Sequence, residues 1–191
     1  MFDYFSVLVS VIFGLALTHI LRGLGRILQL RQRCRVYVPH VVWTVGVALW
    51  VLAAWWGMFW WRNLSDWTFA WFLFIASYSI CFFLWSYMLY PHEIAEGLDF
   101  EEYFFENRKT FFALILTCAL LDIPEVLLKA HLGLRAVPGG YPFVIGIPIV
   151  IAVIGLVSAN RRVHWWLPVV FVAEILGYEA LSTVGHIIAV R

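Results

Sequence analysis

A small set of ionisable side chains falls inside long apolar runs of this 191-residue chain: His19, Arg22, Asp122, Glu125, Glu174, Glu179 and His186. At membrane depth such groups cost about 2.5 to 3.5 kcal/mol each on insertion scales, so each invites a functional reading. Asp122 and Glu125 stand about one helical turn apart, with Pro124 between them. Proline has no N–H to return to the carbonyl of Leu120, which predicts a kink with polar backbone beside two carboxylates. A broken helix carrying carboxylates is the arrangement that proton and small-cation sites use inside membranes. A merely hydrogen-bonded kink has the same residues, so a structural reading stands beside the transport reading.

Counting about 1.5 Å per residue from the ends of the runs places Glu174 about 13 Å, Asp122 about 18 Å and Glu179 and Glu125 about 21 to 22 Å from the inner boundary. Lys129 falls one turn further out than Glu125, so no equally deep cation is expected. Carboxylates gathered in a low-dielectric region cannot all be ionised alone: they carry protons or hold a cation. The expected ion or proton site is therefore Asp122, Glu125, Glu179 and Glu174. His19, Arg22 and Arg26 follow i, i+3, i+7 spacing on one stripe of the first run. Arg22 is expected to meet Glu174 as a gate or structural ion pair near His19, with snorkelling to phospholipid headgroups as the alternative. Glu179, Thr183 and His186 form a second stripe that makes His186 the outer access point.

The elements that carry these residues follow from composition. Hydrophobic residues make up 63% of the chain and charged ones 13%, against about 45 to 50% and 25% in ordinary soluble domains. The hydrophobic residues, about 120 in all, equal six spans of about 20. No two-residue alternation is sustained, so helices rather than a barrel must satisfy the backbone in lipid. The expected fold is all-α: a polytopic membrane bundle of six transmembrane helices over 4–28, 40–61, 67–90, 111–128, 141–159 and 165–190. The first run is too long for a signal-peptide core and is read as the first membrane helix. Pro91 is expected to stop the third.

Nine Lys and Arg (Arg22, Arg26, Arg31, Arg33, Arg35, Arg108, Lys109, Arg161, Arg162) then share one side, against four (Arg62, Lys129, Arg135, Arg191) on the other. The positive-inside rule puts both termini outside, in the periplasm of an inner-membrane protein. The segment 91–110 is acidic, with Glu101, Glu102 and Glu106, and its apolar residues recur at helical spacing, which predicts an amphipathic inner-loop helix. That helix either covers the mouth of the bundle or docks a protein partner, the latter making the chain a non-catalytic scaffold or accessory subunit. Trp55, Trp56, Trp60, Trp61, Trp67 and Trp71 read as an interfacial belt. Trp43 and Trp50, one heptad apart, read as helix packing. Gly177, Ala180 and Gly185 would allow close approach to a neighbouring helix or a second copy, and a homo-oligomer is expected.

Other chemistry is sparse. A net charge of +1 gives no bulk basicity to hold nucleic acid. Three cysteines at unrelated spacings make no disulfide framework. His92-Glu93-Ile94-Ala95-Glu96 lacks the second histidine of a zinc motif, so no metal site is expected. His19, His40, His92 and His164 map near one interface, where two could ligate a haem, leaving a haem or quinone redox subunit as a third reading. No P-loop, G-x-S-x-G or dinucleotide fingerprint is present, so an enzyme is the weaker class.

The opening Phe2-Asp3-Tyr4-Phe5-Ser6-Val7-Leu8-Val9-Ser10, continuing through Gly14-Leu15, Thr18-His19 and Gly25-Arg26, resembles a group of uncharacterised small bacterial integral membrane proteins. So does Tyr103-Phe104-Phe105-Glu106-Asn107-Arg108 followed by Phe111-Phe112. The resemblance covers about a quarter of the chain. It implies a multi-helix protein of the bacterial inner membrane and carries over no functional residue.

Overall fold

The computed structural model describes the backbone of residues 1–189 and the side chains through position 180. It is all-helical, with α1 (Phe2–Leu30), α2 (Val38–Gly57), a 3₁₀ continuation (Met58–Asn63), α3 (Phe69–Tyr87), α4 (Phe100–His131), α5 (Tyr141–Val157) and α6 (Arg161–Ala189). Among the described residues, four helical segments are long and apolar enough to cross a membrane: Phe2–Leu30, Val38–Asn63, Phe69–Tyr87 and Phe100–His131. α5 is shorter, at 17 residues, and α6 carries Glu174 and Glu179 along its apolar run.

α1 shows why the chain folds as it does. It buries Phe5, Val9, Phe13, Ala16, Ile20, Gly23 and Ile27, a stripe at the 3.6-residue period. Its opposite face is also apolar, with Val7, Val11, Leu15, Leu21 and Leu28 exposed, which suits lipid rather than water. α1 packs on α3 and α2, α3 on α4, α4 on α5, α5 on α6, and α6 on α2. The six helices therefore close a ring. Its interior is aromatic: Trp43 and Trp50 both face Phe171, with centroids 5.2 and 5.4 Å away, and Trp85 lies edge-on to Trp50. Glycine permits the tightest approaches. A Cβ on Gly46 would lie 2.8 Å from the Phe171 ring, and one on Gly23 would enter the ring of Tyr90.

The expected amphipathic helix over 91–110 does not form as a separate element. Residues 91–99 are irregular, and 100–110 are the first turns of α4. Asp99 caps that helix by accepting from the backbone N–H groups of Glu101 and Glu102, and no Gly or Pro follows until Pro124. Nothing therefore divides the loop helix from the span. The irregular segment instead docks on the α1–α2 connection. Gly97, in the left-handed region at φ 85°, donates to the Arg33 carbonyl, and Arg35 exchanges backbone bonds with Leu98 and Phe100. Ion pairs Arg33–Glu96 and Arg35–Asp99 flank this contact, and Arg161 pairs with Glu101. α3 ends four residues before Pro91. α4 runs through Pro124.

Candidate functional site

Asp122, Glu125 and Lys129 occupy one stripe of α4 and face the interior of the ring. Glu125 is 3% exposed and Lys129 equally buried. The two form an i, i+4 ion pair. Lys129 Nζ also donates to the Gly57 carbonyl at 2.7 Å and lies 5.7 Å from the Trp61 ring centre. Trp61 donates its indole N–H to Glu125 Oε1 at 2.9 Å. Asp122 accepts from two phenols, Tyr78 at 2.6 Å and Tyr141 at 2.8 Å, contributed by α3 and the first turn of α5. Each α4 carboxylate thus has two donors, as buried charged oxygens require.

This revises three expectations. Lys129 supplies the cation held to be missing at this depth. Trp61, read as part of the interfacial belt, is completely buried and serves as a hydrogen-bond donor. The third is Arg22, whose side chain is exposed and whose pairing with Glu174 is not among the ion pairs of the described residues. In the ring α2 stands between α1 and α6. His19 stacks on Tyr87, with ring centres 4.7 Å apart. His186 and Thr183 lie outside the described side chains.

Asp122, Glu125, Glu174 and Glu179 do share one cavity of about 500 Å³. It is bounded by α2, α4, α5 and α6, with Trp50, Phe171 and Pro148 toward mid-bundle. Trp60, Arg135 and Pro138, in the connections on the side of the ring that bears Met1, mark its mouth. Arg135 stacks over the Trp60 ring at 5.2 Å. Glu174 differs from the α4 acids: its Oε1 is buried and has no hydrogen-bond partner among the described residues. Tyr178, one turn further along α6, lines the same wall. One rung deeper between α3 and α4, Cys81 and Cys118 are free thiols with sulfurs 3.1 Å apart.

The histidines gather elsewhere. His40 packs against Tyr90, Phe100 and Phe104, and His164 against Phe104, Phe105 and Phe112. The Phe104 ring therefore touches both, where a planar cofactor between them would need open space. His164 and buried Arg108 both converge on the Ser158 carbonyl at the end of α5, a helix-terminus contact that spacing did not predict. No grouping of three or more His, Cys, Asp or Glu suited to a metal occurs among the described residues.

Fold and cavity define an all-helical protein with membrane-compatible helices and a polar chamber within the ring. No family model, curated protein or solved structure matches the chain.

Proposed function

We propose that this protein is a six-span inner-membrane protein, with both termini outside, that moves or senses a proton or small cation through the chamber between α2, α4, α5 and α6. The observation that carries this reading is Glu174, a carboxyl group facing the chamber with one oxygen lacking a hydrogen-bond partner among the described residues. Asp122 and Glu125 have their own donors and hold the wall in place. Glu174 can take up and release a proton or cation without breaking a bond of the scaffold. The orientation rests on the positive-inside distribution of Lys and Arg, and the bacterial inner membrane on the resemblance of the opening segment. The scaffold reading is the weaker one, because Glu96, Asp99 and Glu101 are engaged by Arg33, Arg35 and Arg161 of the same chain.

Proteoliposomes containing a pH-sensitive dye, placed under an imposed potential and in parallel under a sodium or potassium gradient, test the proposal. Wild type is expected to pass protons or the metal ion above the rate of empty liposomes, and Glu174→Gln to lose most of that flux. Flux equal to empty liposomes in both formats, or equal in wild type and variant, overturns it.

A further inference from the structure

The chamber is larger than a proton or a bare ion needs. At about 500 Å³ it lies within the roughly 300 to 1,000 Å³ typical of small-molecule sites, and water alone would fill it with roughly seventeen molecules at about 30 Å³ each. Its lining shows what kind of molecule would suit it.

Four acids, Asp122, Glu125, Glu174 and Glu179, line the chamber against two bases, Lys129 and Arg135. Lys129 is held by Glu125 and the Gly57 carbonyl, and Arg135 lies over Trp60 at the mouth. The hydroxyl hydrogens of Tyr78 and Tyr141 go to Asp122, and the Trp61 N–H goes to Glu125. The donors beside the two α4 carboxylates, Lys129, Tyr78, Tyr141 and Trp61, are thus committed to the wall, and the guanidinium of Arg135 sits at the mouth rather than beside Glu174. What the chamber offers is an acceptor, Glu174 Oε1, buried and without a hydrogen-bond partner among the described residues, together with the aromatic side chains of Trp50, Phe171 and Tyr178. Aromatic faces attract cations through their quadrupole, and a buried carboxylate oxygen gains most from a charged donor.

We infer that the chamber binds a small organic cation, a protonated or quaternary amine bearing an apolar group, with the charge at Glu174 and the apolar part against Trp50 and Phe171. The inference rests on the proposed use of the chamber and names the chemical class of its ligand. A protonated amine places N–H groups on Glu174, and a quaternary amine supplies charge to the carboxylate and the rings. Entry is past Trp60 and Arg135.

The test uses the full-length chain in lipid nanodiscs, with benzyltrimethylammonium as probe and its uncharged carbon analogue, 2,2-dimethylpropylbenzene, as control, read by calorimetry. Wild type is expected to bind the cation saturably and at least tenfold more tightly than the neutral analogue. Glu174→Gln should weaken the cation at least tenfold while leaving the neutral analogue unchanged. Ala53→Trp, which fills the chamber from α2, should abolish binding of both, so the inference stays testable should the first variant fold poorly. Absence of saturable binding by wild type, equal affinity for the two probes, or unchanged binding in both variants overturns the inference. Inorganic-ion or proton flux with no binding of the amine overturns the ligand class and keeps the broader proposal; amine binding with no flux of any kind does the reverse.

Discussion

Lys129 and Glu125 hold each other's charge inside the ring, and neither can be removed without stranding the other. Breaking a buried pair from one side typically costs about 3 to 5 kcal/mol, so Glu125→Gln and Lys129→Met are each expected to lower the unfolding midpoint sharply in detergent. The double variant is expected to lose less than the sum of the two, and full additivity would contradict the pairing. Asp99 gives a prediction with a pH dependence. Partial burial raises its pKa, but the N–H groups of Glu101 and Glu102 and the Arg35 guanidinium outweigh that and hold it below the ordinary value. A depressed folded-state pKa stabilises the protein above the unfolded value, near 4, and that contribution is lost as pH falls through the folded value. Asp99→Ala is therefore expected to cost about 1 kcal/mol at neutral pH and to narrow its gap from wild type on acidification, as urea titrations at several pH values will show. The acidic residues of the site were legible in the sequence, since an intramembrane carboxylate stands out by type alone. Their partners were not. The phenols of Asp122 come from helices 44 and 19 residues away, and no spacing rule links them. Lys129 was visible but misplaced, because depth counted along the axis ignores the tilt of side chains toward a helix N-terminus, which sends a lysine back onto the residue four before it.

Helices and their packing are where sequence periodicity carried furthest. The shared face of Trp43 and Trp50 follows from their heptad separation, and both pack on Phe171. Hydropathy rises at 111, but a helix begins at its cap and not where its environment turns apolar, and here the cap is Asp99. Two predictions test the packing directly. A side chain on Gly23 would enter the Tyr90 ring, so Gly23→Ala is expected to destabilise by about 1 to 3 kcal/mol, whereas Gly14→Ala, which meets nothing, is expected to be near neutral in the same melting assay. The sulfurs of Cys81 and Cys118 approach to 3.1 Å, so mild copper-phenanthroline oxidation of a Cys34→Ser chain should join them within one molecule. The peptide pair would appear in a non-reducing digest with two hydrogens lost. Failure to cross-link would contradict the register of α3 against α4, since a disulfide forms only between closely placed side chains.

At the scale of the molecule, composition indicates the solvent and the approximate number of helices, but a closed ring is a statement about neighbours. Apolar windows look alike whichever helix they touch, so the order α1, α3, α4, α5, α6, α2 and the chamber it encloses emerged only from the fold. That order explains why Arg22 and Glu174, plausible partners by charge, belong to helices separated by α2. The mouth of the chamber lies on the side that bears Met1, where Trp60, Arg135 and Pro138 stand in the connections. The most direct measurement is thiol accessibility at position 174. In a chain with Cys34, Cys81 and Cys118 replaced by serine, Glu174→Cys in sealed vesicles of known sidedness is treated with a membrane-impermeant cationic thiol reagent. Modification from the side of the N-terminus, with protection from the opposite side, is the result predicted for a water-connected chamber open past Trp60 and Arg135. No modification from either side, or modification from the opposite side alone, would contradict it.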